Sequence, residues 1–463
     1  MKTPVRSGRR ISWLTWLIVT LVLLAVGIVY EPSEITTESY SREQAWGIDR
    51  ALLRTTLGEP VAQNEYPKTI RVAHDQIEYE AAITYTLDAD LQKAVDEIFA
   101  QYGPDYGVFA ALDPDTGEIL ALASHRRNQG EPNENLAIAA TYPGASVFKV
   151  VTAAAAMDLG KATPKTVIPF NGKTTSLYRK NVLHHKNTQW TRRYPLTTSF
   201  AKSVNTVFAR LGIFTVGGEP LKTYASAFGF NQTWDSDFAL APSVFVIDAN
   251  DPWSIAEAAS GYTRNTTLSP VHGAMLAAVA VNGGQLVRPT LVKKITAEDG
   301  LSVYVHEPEN EPIVSDQTAS DLRTLMQETV ASGSARDSFK KFFRGDMADV
   351  EVGGKTGSLT GENPPGRYDW FIGYAQKDGR KIAFAAMCIN EEFWYVKSAY
   401  VARKAIEHFF SRPNANYPAV PNRAGFFGAA ISRRYPPRAQ RGPTQTQPHR
   451  RGYALHVQHQ LPD

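Results

Sequence analysis

Apolar residues recur at Leu87, Leu91, Val95, Ile98 and Phe99, a spacing that lines one face of an amphipathic helix. Two apolar runs follow, at 107–112 and 118–123, split by Asp113-Pro-Asp-Thr-Gly117. Turn residues between short apolar runs predict a β-hairpin. From about Ser146 an alanine-rich stretch with Val150, Val151 and Met157 predicts a buried helix that stops at Gly160. Mostly helical and loop-forming sequence continues to about residue 345. Residues 370–375 and 381–387 then flank Lys377-Asp378-Gly379, a second hairpin, and 400–410 reads as a closing helix. Strands near both ends with helices between predict one α+β domain whose antiparallel sheet unites distant parts of the chain, with helices flanking it.

The chain ends change this picture. Residues 11–30 are uncharged and rich in Leu, Val and Ile, the length a helix needs to cross a bilayer. Lys2, Arg6, Arg9 and Arg10 precede them, so 1–10 is expected as a cytoplasmic basic tail and everything after Tyr30 on the far side. Trp13, Trp16 and Tyr30 sit where interfacial aromatics belong. No A-x-A-like site follows, which favours an uncleaved single-pass anchor over a signal peptide. Residues 31–80 are polar and weakly patterned and are expected as a membrane-proximal segment, with the main domain at 81–410. Beyond it, 411–463 is dominated by Pro, Gln and Arg without apolar periodicity, as in a disordered basic tail.

Composition adds exclusions. A hydrophobic fraction of 43% and a charged fraction of 21% are those of a folded protein. A net charge of +3 is too small to argue for nucleic acid. Cys388 is the only cysteine, which excludes a disulfide scaffold; within an apolar run it reads as a small hydrophobe buried in a strand.

Three short patterns carry chemistry. In Ser146-Val-Phe-Lys149 the serine and lysine are three apart, so hydroxyl and amine can share a helix face. A neutral lysine can take the serine's proton, and burial or a neighbouring positive charge lowers a lysine pKa. In the first helical turn, free backbone N–H groups would point at a developing oxyanion. This pattern alone is weak: S-x-x-K should occur about twice by chance in such a chain. Ser199/Lys202 and Ser338/Lys341 also fit it. Ser146 is favoured because it opens a long apolar helix, whereas Ser338 sits in a charged stretch and Ser199 abuts the next pattern. That pattern is Ser203-Val-Asn205, where a second serine could relay a proton and an amide could bind a substrate amide. The third is Gly353-Gly354-Lys355-Thr356-Gly357-Ser358, whose glycines permit close backbone approach and whose lysine and hydroxyls suit a carboxylate. It is not a phosphate-binding loop, because that motif requires glycine where Asp349 stands, and Pro364 and Pro365 interrupt the helix that should follow. His184 and His185 are adjacent, which is not ligand spacing, so no metal site is expected.

The order S-x-x-K, S-x-N, K-T-G is the established motif set of the penicillin-binding proteins and serine β-lactamases, and the chain resembles that family through it. From about Thr84 to Phe410 the chain resembles their transpeptidase domains, including Leu112 to Glu118, the stretch from Leu268 to Gly284, and Asp369-Trp-Phe371. The resemblance implies that Ser146 is acylated by a D-Ala-D-Ala stem peptide, with Lys149 as general base and Ser203 as proton relay. Asn205 would contact the peptide amide. Lys355 would shape the electrostatics, Thr356, Gly357 and Ser358 would bind substrate, and the N–H groups of Ser146 and Ser358 would form the oxyanion hole. It implies no cofactor, covalent inhibition by β-lactams, and a plasma-membrane (inner-membrane) enzyme with a periplasmic catalytic domain. The roughly 50 residues between the span and the resemblance leave no room for a glycosyltransferase domain, so a cell-wall synthesis complex would supply that activity. No E-x-x-[LN]-N-like sequence lies between Ser203 and Lys355, which sets aside a class A β-lactamase. The implied activity is that of a monofunctional D,D-transpeptidase, with D,D-carboxypeptidase and β-lactam-sensing module as alternatives.

Overall fold

The apolar runs 107–112 and 370–387 lie some 260 residues apart in the chain yet become neighbours in one sheet. The computed structural model describes residues 46–74, 77–128, 130 and 133–412. The first elements are α1 (Arg50–Ala62), β1 (Thr69–His74), β2 (Ile77–Tyr85), α2 (Ala89–Tyr102), β3 (Tyr106–Leu112), β4 (Ile119–Arg126) and β5 (Tyr142–Pro143). A 3₁₀ turn (Ala145–Phe148) leads into α3 (Lys149–Asp158), followed by β6 (Val167–Phe170), α4 (Arg179–Leu183), β7 (Arg192–Pro195), α5 (Leu196–Ala201) and α6 (Asn205–Leu211). Then come α7 (Gly218–Ala227), α8 (Pro252–Ser260), β8 (Thr267–Leu268), α9 (Pro270–Ala278), β9 (Gln285–Val287), β10 (Val292–Ala297), β11 (Ser302–Val305) and β12 (Asn310–Pro312). The chain closes through α10 (Asp316–Ala331), α11 (Arg336–Phe339), β13 (Glu351–Glu362), β14 (Pro365–Lys377), β15 (Arg380–Asn390) and α12 (Ser398–Ser411).

The central sheet has the order β13-β14-β15-β3-β4, antiparallel throughout. Both predicted hairpins are present. The second turns on Asp378 and Gly379, each with positive φ (50° and 79°), as a two-residue hairpin turn requires. Alternation sorts the strands onto two faces. Phe109, Ala111, Phe371, Phe384, Ala386 and Cys388 face Leu91, Val95 and Phe99 of α2 and Val401, Ala405 and Ile406 of α12. Fully burying each of the Phe, Leu, Ile and Val side chains among these contributes about 1.5–3 kcal/mol. On the other face Val108, Ala110, Ile372, Ala385 and Met387 share a core with α3 and α9. Gly273 lets α9 approach, since a Cβ there would lie 3.1 Å from Ala385 and from Ile372. Cys388 is buried in β15, and the closing helix occupies the predicted place.

Two expectations need correction. Residues 46–85 are not weakly patterned. Leu53, Leu57 and Val61 recur at i, i+4, i+8 and are the buried face of α1. β1 and β2 join β10 and β11 in a four-stranded sheet, order β1-β2-β10-β11, so a boundary at residue 80 falls inside β2. Residues 160–345 hold not only helices and loops but also β6–β12, of two to six residues each. Strands this short show little alternation, and several pair with partners far away in sequence, so no local pattern announces them. The span at 11–30 and the tail from 413 lie outside the described residues. Among the described residues, no helix is long and apolar enough to cross a membrane.

Candidate active site

Ser146 lies in the 3₁₀ turn and not, as expected, in the first turn of the α-helix, which begins only at Lys149. The tighter winding matters because side chains three apart eclipse on a 3₁₀ helix. Lys149 Nζ accordingly sits 2.7 Å from Ser146 Oγ. The turn is held from three sides. Trp370 Nε1 donates to the carbonyl of Pro143 at 3.0 Å. Gly357 of β13 meets Ala145, where a Cβ would lie 3.4 Å from its methyl group. Gly261, the left-handed cap of α8 (φ +64°), lies against the Ala145 carbonyl, where a Cβ would come within 1.9 Å. Ala145 itself has φ +47° and Ser203 has φ +54°, conformations non-glycine residues hold only where their surroundings impose them.

Lys149 is fully buried, with two further partners, Asn205 Oδ1 at 2.8 Å and the carbonyl of Ser260. Burial drives its pKa well below the ordinary lysine value, and the charge of Lys355 lowers it further. A neutral amine has two N–H groups and one lone pair. Two carbonyl oxygens take the N–H groups, which leaves the lone pair facing the hydroxyl of Ser146. Lys355 is also fully buried, and burial alone brings it down to about 7. Its ammonium donates to Ser203 Oγ at 3.0 Å and to the Thr356 carbonyl at 2.8 Å.

Ser203 falls in the break between α5 and α6, and Asn205 opens α6. Expected to meet a substrate amide, Asn205 has both side-chain atoms engaged within the chain: Oδ1 on Lys149, Nδ2 donating to the Thr175 carbonyl at 2.8 Å. The K-T-G-S residues form part of β13, the edge strand of the central sheet. Thr356 is half-buried, with Oγ1 2.5 Å from Ser334 Oγ, and Ser358 is exposed, opposite Asp369. Ser146, Lys149, Ser203, Asn205, Lys355 and Thr356 are thus linked through Asn205, Lys149 and Lys355 into two hydrogen-bonded groups packed around one turn. The other two S-x-x-K pairs are not assembled. Ser199 Oγ is buried without a partner while Lys202 is exposed, and Lys341 is exposed beside a half-buried Ser338. Among the described residues, no group of three or more His, Cys, Asp or Glu is placed to hold a metal ion.

Sequence reasoning missed four contributors. Ser260 and Gly261 act through backbone carbonyl and backbone shape, Trp370 through one indole N–H, and Ser334 through a hydroxyl 22 residues before its partner. Ser260, Gly261 and Ser334 belong to no chemical motif, and Trp370, though part of the Asp369-Trp-Phe371 resemblance, was given no role in the site. Only the glycine after an apolar helical run, at 261, carried a readable signal, that of a helix cap.

Residues 107–407 match the family described as penicillin binding protein transpeptidase domain. The chain is 30% identical over 349 residues to the peptidoglycan D,D-transpeptidase PbpA of Mycobacterium tuberculosis, covering 66% of this chain and 66% of that protein. It is 26% identical over 330 residues to the stage V sporulation protein D of Bacillus subtilis, covering 66% of this chain and 48% of the relative. The chain thus spans just under two thirds of the length of the first of these relatives and about half of the second. Among solved structures it resembles the imipenem acyl-enzyme complex of penicillin-binding protein A from M. tuberculosis, with a TM-score of 0.57 and 27% identity over 71% of this chain and 79% of that one.

Proposed function

The chain belongs to the penicillin-binding protein transpeptidase family, and on that premise we propose that it is a serine D,D-transpeptidase that cross-links peptidoglycan stem peptides through an acyl-Ser146 intermediate. The observation that carries this reading is the fully buried Lys149 amine 2.7 Å from Ser146 Oγ, with two carbonyls occupying its N–H groups. As Ser146 Oγ attacks the carbonyl of the penultimate D-Ala, its proton passes to the Lys149 lone pair. The resulting ammonium keeps all three partners, so no neighbour has to move. The tetrahedral oxyanion would lie against the N–H groups of Ser146 and Ser358. Its collapse breaks the C–N bond; the departing D-Ala amine takes the Ser203 hydroxyl proton, which the Lys355 ammonium donating to Ser203 replaces. An amine of a second peptide then attacks the ester and returns a proton through Ser203 to Lys355, while Ser146 leaves with the proton that Lys149 has held.

Lys355, Thr356, Gly357 and Ser358 would receive the terminal carboxylate along β13, with Ser334 fixing the Thr356 hydroxyl. Asn205 serves first to orient Lys149; a substrate amide would compete for its Nδ2. The relatives that are D,D-transpeptidases and the acyl-enzyme nature of the structural neighbour support this assignment. We also propose that residues 11–30 anchor the enzyme once in the plasma membrane with the catalytic domain outside the cytoplasm, on the strength of the uncharged span and its basic flank. A cell-wall complex would supply the glycosyltransferase. Intact-mass analysis after exposure to penicillin tests the centre of the reading: one adduct on the wild type and none on Ser146→Ala is expected. An adduct that persists in Ser146→Ala counts decisively against it. Products of a pentapeptide with and without an amine acceptor then separate cross-linking from hydrolysis.

A further inference from the structure

From residue 159 to residue 218 the chain contains no aspartate or glutamate, while ten lysines and arginines occur there. At the chain's overall frequency, 46 acidic residues in 463, such a stretch would carry about six. The fold brings several of these cations to one hairpin and the loops beside it, while Arg179 lies over Trp253 and near Glu257. β6 and β7 pair as a hairpin, with Phe170 opposite Arg192. The Arg192 guanidinium lies 4.7 Å over the Phe170 ring and donates to the Gly172 carbonyl. Asn171 Nδ2 donates to the Lys186 carbonyl at 2.9 Å, which folds the 184–191 loop back beside Lys173. Lys202 stands 4.8 Å over the ring of Tyr194, next in the chain to Ser203.

Lys173, Lys186, Arg193 and Lys202 are exposed, and among the described residues none of them has a carboxylate partner. Elsewhere Arg54 and Arg288 share Asp235, Arg323 pairs with Glu351 and Arg403 with Glu407, while Lys294, Lys340, Lys341 and Arg344 are exposed without such a partner among the described residues; what sets this lobe apart is that its own sequence supplies no carboxylate at all. This lobe also joins the candidate site directly. The backbone N–H and Nδ2 of Asn205 donate to the carbonyls of Thr174 and Thr175, each at 2.8 Å. The cationic surface therefore begins one residue from the wall that positions Lys149.

We infer that this acid-free lobe is the docking surface for a carboxylate-rich peptide strand, the strand that brings its reacting end to Ser146. The inference rests on the acyl-serine reading and deepens it by giving the substrate a charge. Unpaired cations in this number raise the local concentration and the encounter rate of an anion, and both gains shrink with salt. Contact with Thr174 and Thr175 puts that attraction beside the reacting hydroxyl, which a peptide substrate needs. A membrane surface would need no such placement beside the reacting hydroxyl.

The test uses the full chain carrying Ser146→Ala, with and without Lys173→Gln, Lys186→Gln and Arg193→Gln together. Fluorescence anisotropy follows binding of a labelled peptide ending in D-Ala-D-Ala with three glutamates, and of the same peptide with glutamines. The triple substitution is expected to weaken the acidic peptide at least about tenfold and leave the glutamine peptide within about twofold. The preference for the acidic peptide should vanish in roughly 0.5 M salt. With Ser146 restored, the same triple variant should react with penicillin within about twofold of wild type, which shows an intact site. Equal affinity for the two peptides overturns the inference, as does loss of binding only to anionic phospholipid vesicles. Absence of a penicillin adduct on the wild type with charge-selective binding intact would instead break the acyl-serine reading alone.

Discussion

Lys149 shows how far one side chain depends on its surroundings. Its three partners come from residues 146, 205 and 260, and only the first lies within reach along the helix. In Asn205→Ala the amine loses the acceptor that orients it, and the Thr175 carbonyl loses its donor. A buried group left unpaired costs about 1–3 kcal/mol, so the penicillin acylation rate is expected to fall about 10- to 100-fold, as read by stopped-flow. A rate close to that of the wild type would show that Asn205 does not position the base. Lys355 makes a prediction about stability. The unfolded chain keeps this lysine protonated up to about 10.5 and the folded chain only to about 7. Between those values the unfolded state binds more protons, so the burial penalty is complete below about 7 and grows no further there. Within the window it changes by the proton that only the unfolded chain holds, and the sign follows from linkage: stability rises with pH. The stability of Lys355→Met relative to wild type should therefore be greatest near pH 6 and shrink between about pH 7 and 10. Denaturant midpoints across that range decide it, and a flat difference would contradict the burial argument. The serine, lysine and K-T-G residues were legible in sequence because each belongs to a pattern; Ser260, Ser334 and the role of Trp370 were not, because a carbonyl, a hydroxyl or a lone N–H needs only to be near.

At the scale of elements, the site is a junction of a 3₁₀ turn, the cap of α8 and the edge strand β13. A helix start at about Ser146 was readable from the alanine-rich run, but the 3₁₀ winding was not, because it comes from β13 and Gly261 pressing on Ala145. Gly261→Ala tests that pressure. The substitution puts a Cβ at φ +64° and 1.9 Å from the Ala145 carbonyl, so the turn must move. Strain of this kind costs about 1–3 kcal/mol, with a corresponding fall in melting temperature and a larger proportional loss of acylation. A stable protein with normal acylation would mean that the turn holds its shape without the cap. Gly300→Ala is a control for backbone freedom, since Gly300 also has positive φ (+84°) but no atom within 4 Å of a Cβ.

For the whole molecule, the main surprise is that residues 46–85 belong to the folded unit. β1 and β2 complete a sheet with β10 and β11, and Asp237 ties that sheet down by accepting from Thr290 Oγ1 and from the N–H groups of Leu291 and Val292. A chain beginning at residue 87 would expose the edge of β10 together with Val292 and Ile295, both fully buried. An open apolar edge invites aggregation. Such a truncation is expected to be insoluble or to lack a cooperative transition, whereas one beginning at residue 46 should unfold cooperatively and react with penicillin. Cooperative folding of the shorter chain would make residues 46–86 an accessory.

The sequence by itself determined the α+β class, both long hairpins, the closing helix, the family resemblance and the ordered motifs. These rest on local periodicity, turn chemistry and spacing, which survive without knowledge of contacts. Tertiary structure decided which of three S-x-x-K pairs is assembled, because burial of Lys149 and the approach of Asn205 and Lys355 are long-range events. It also decided that β1 and β2 belong to the folded unit, through pairing of β2 with the distant β10. The acid-free stretch was in the sequence all along. Only the fold set it against Asn205, and so beside Ser146, first singled out by a lysine three residues on.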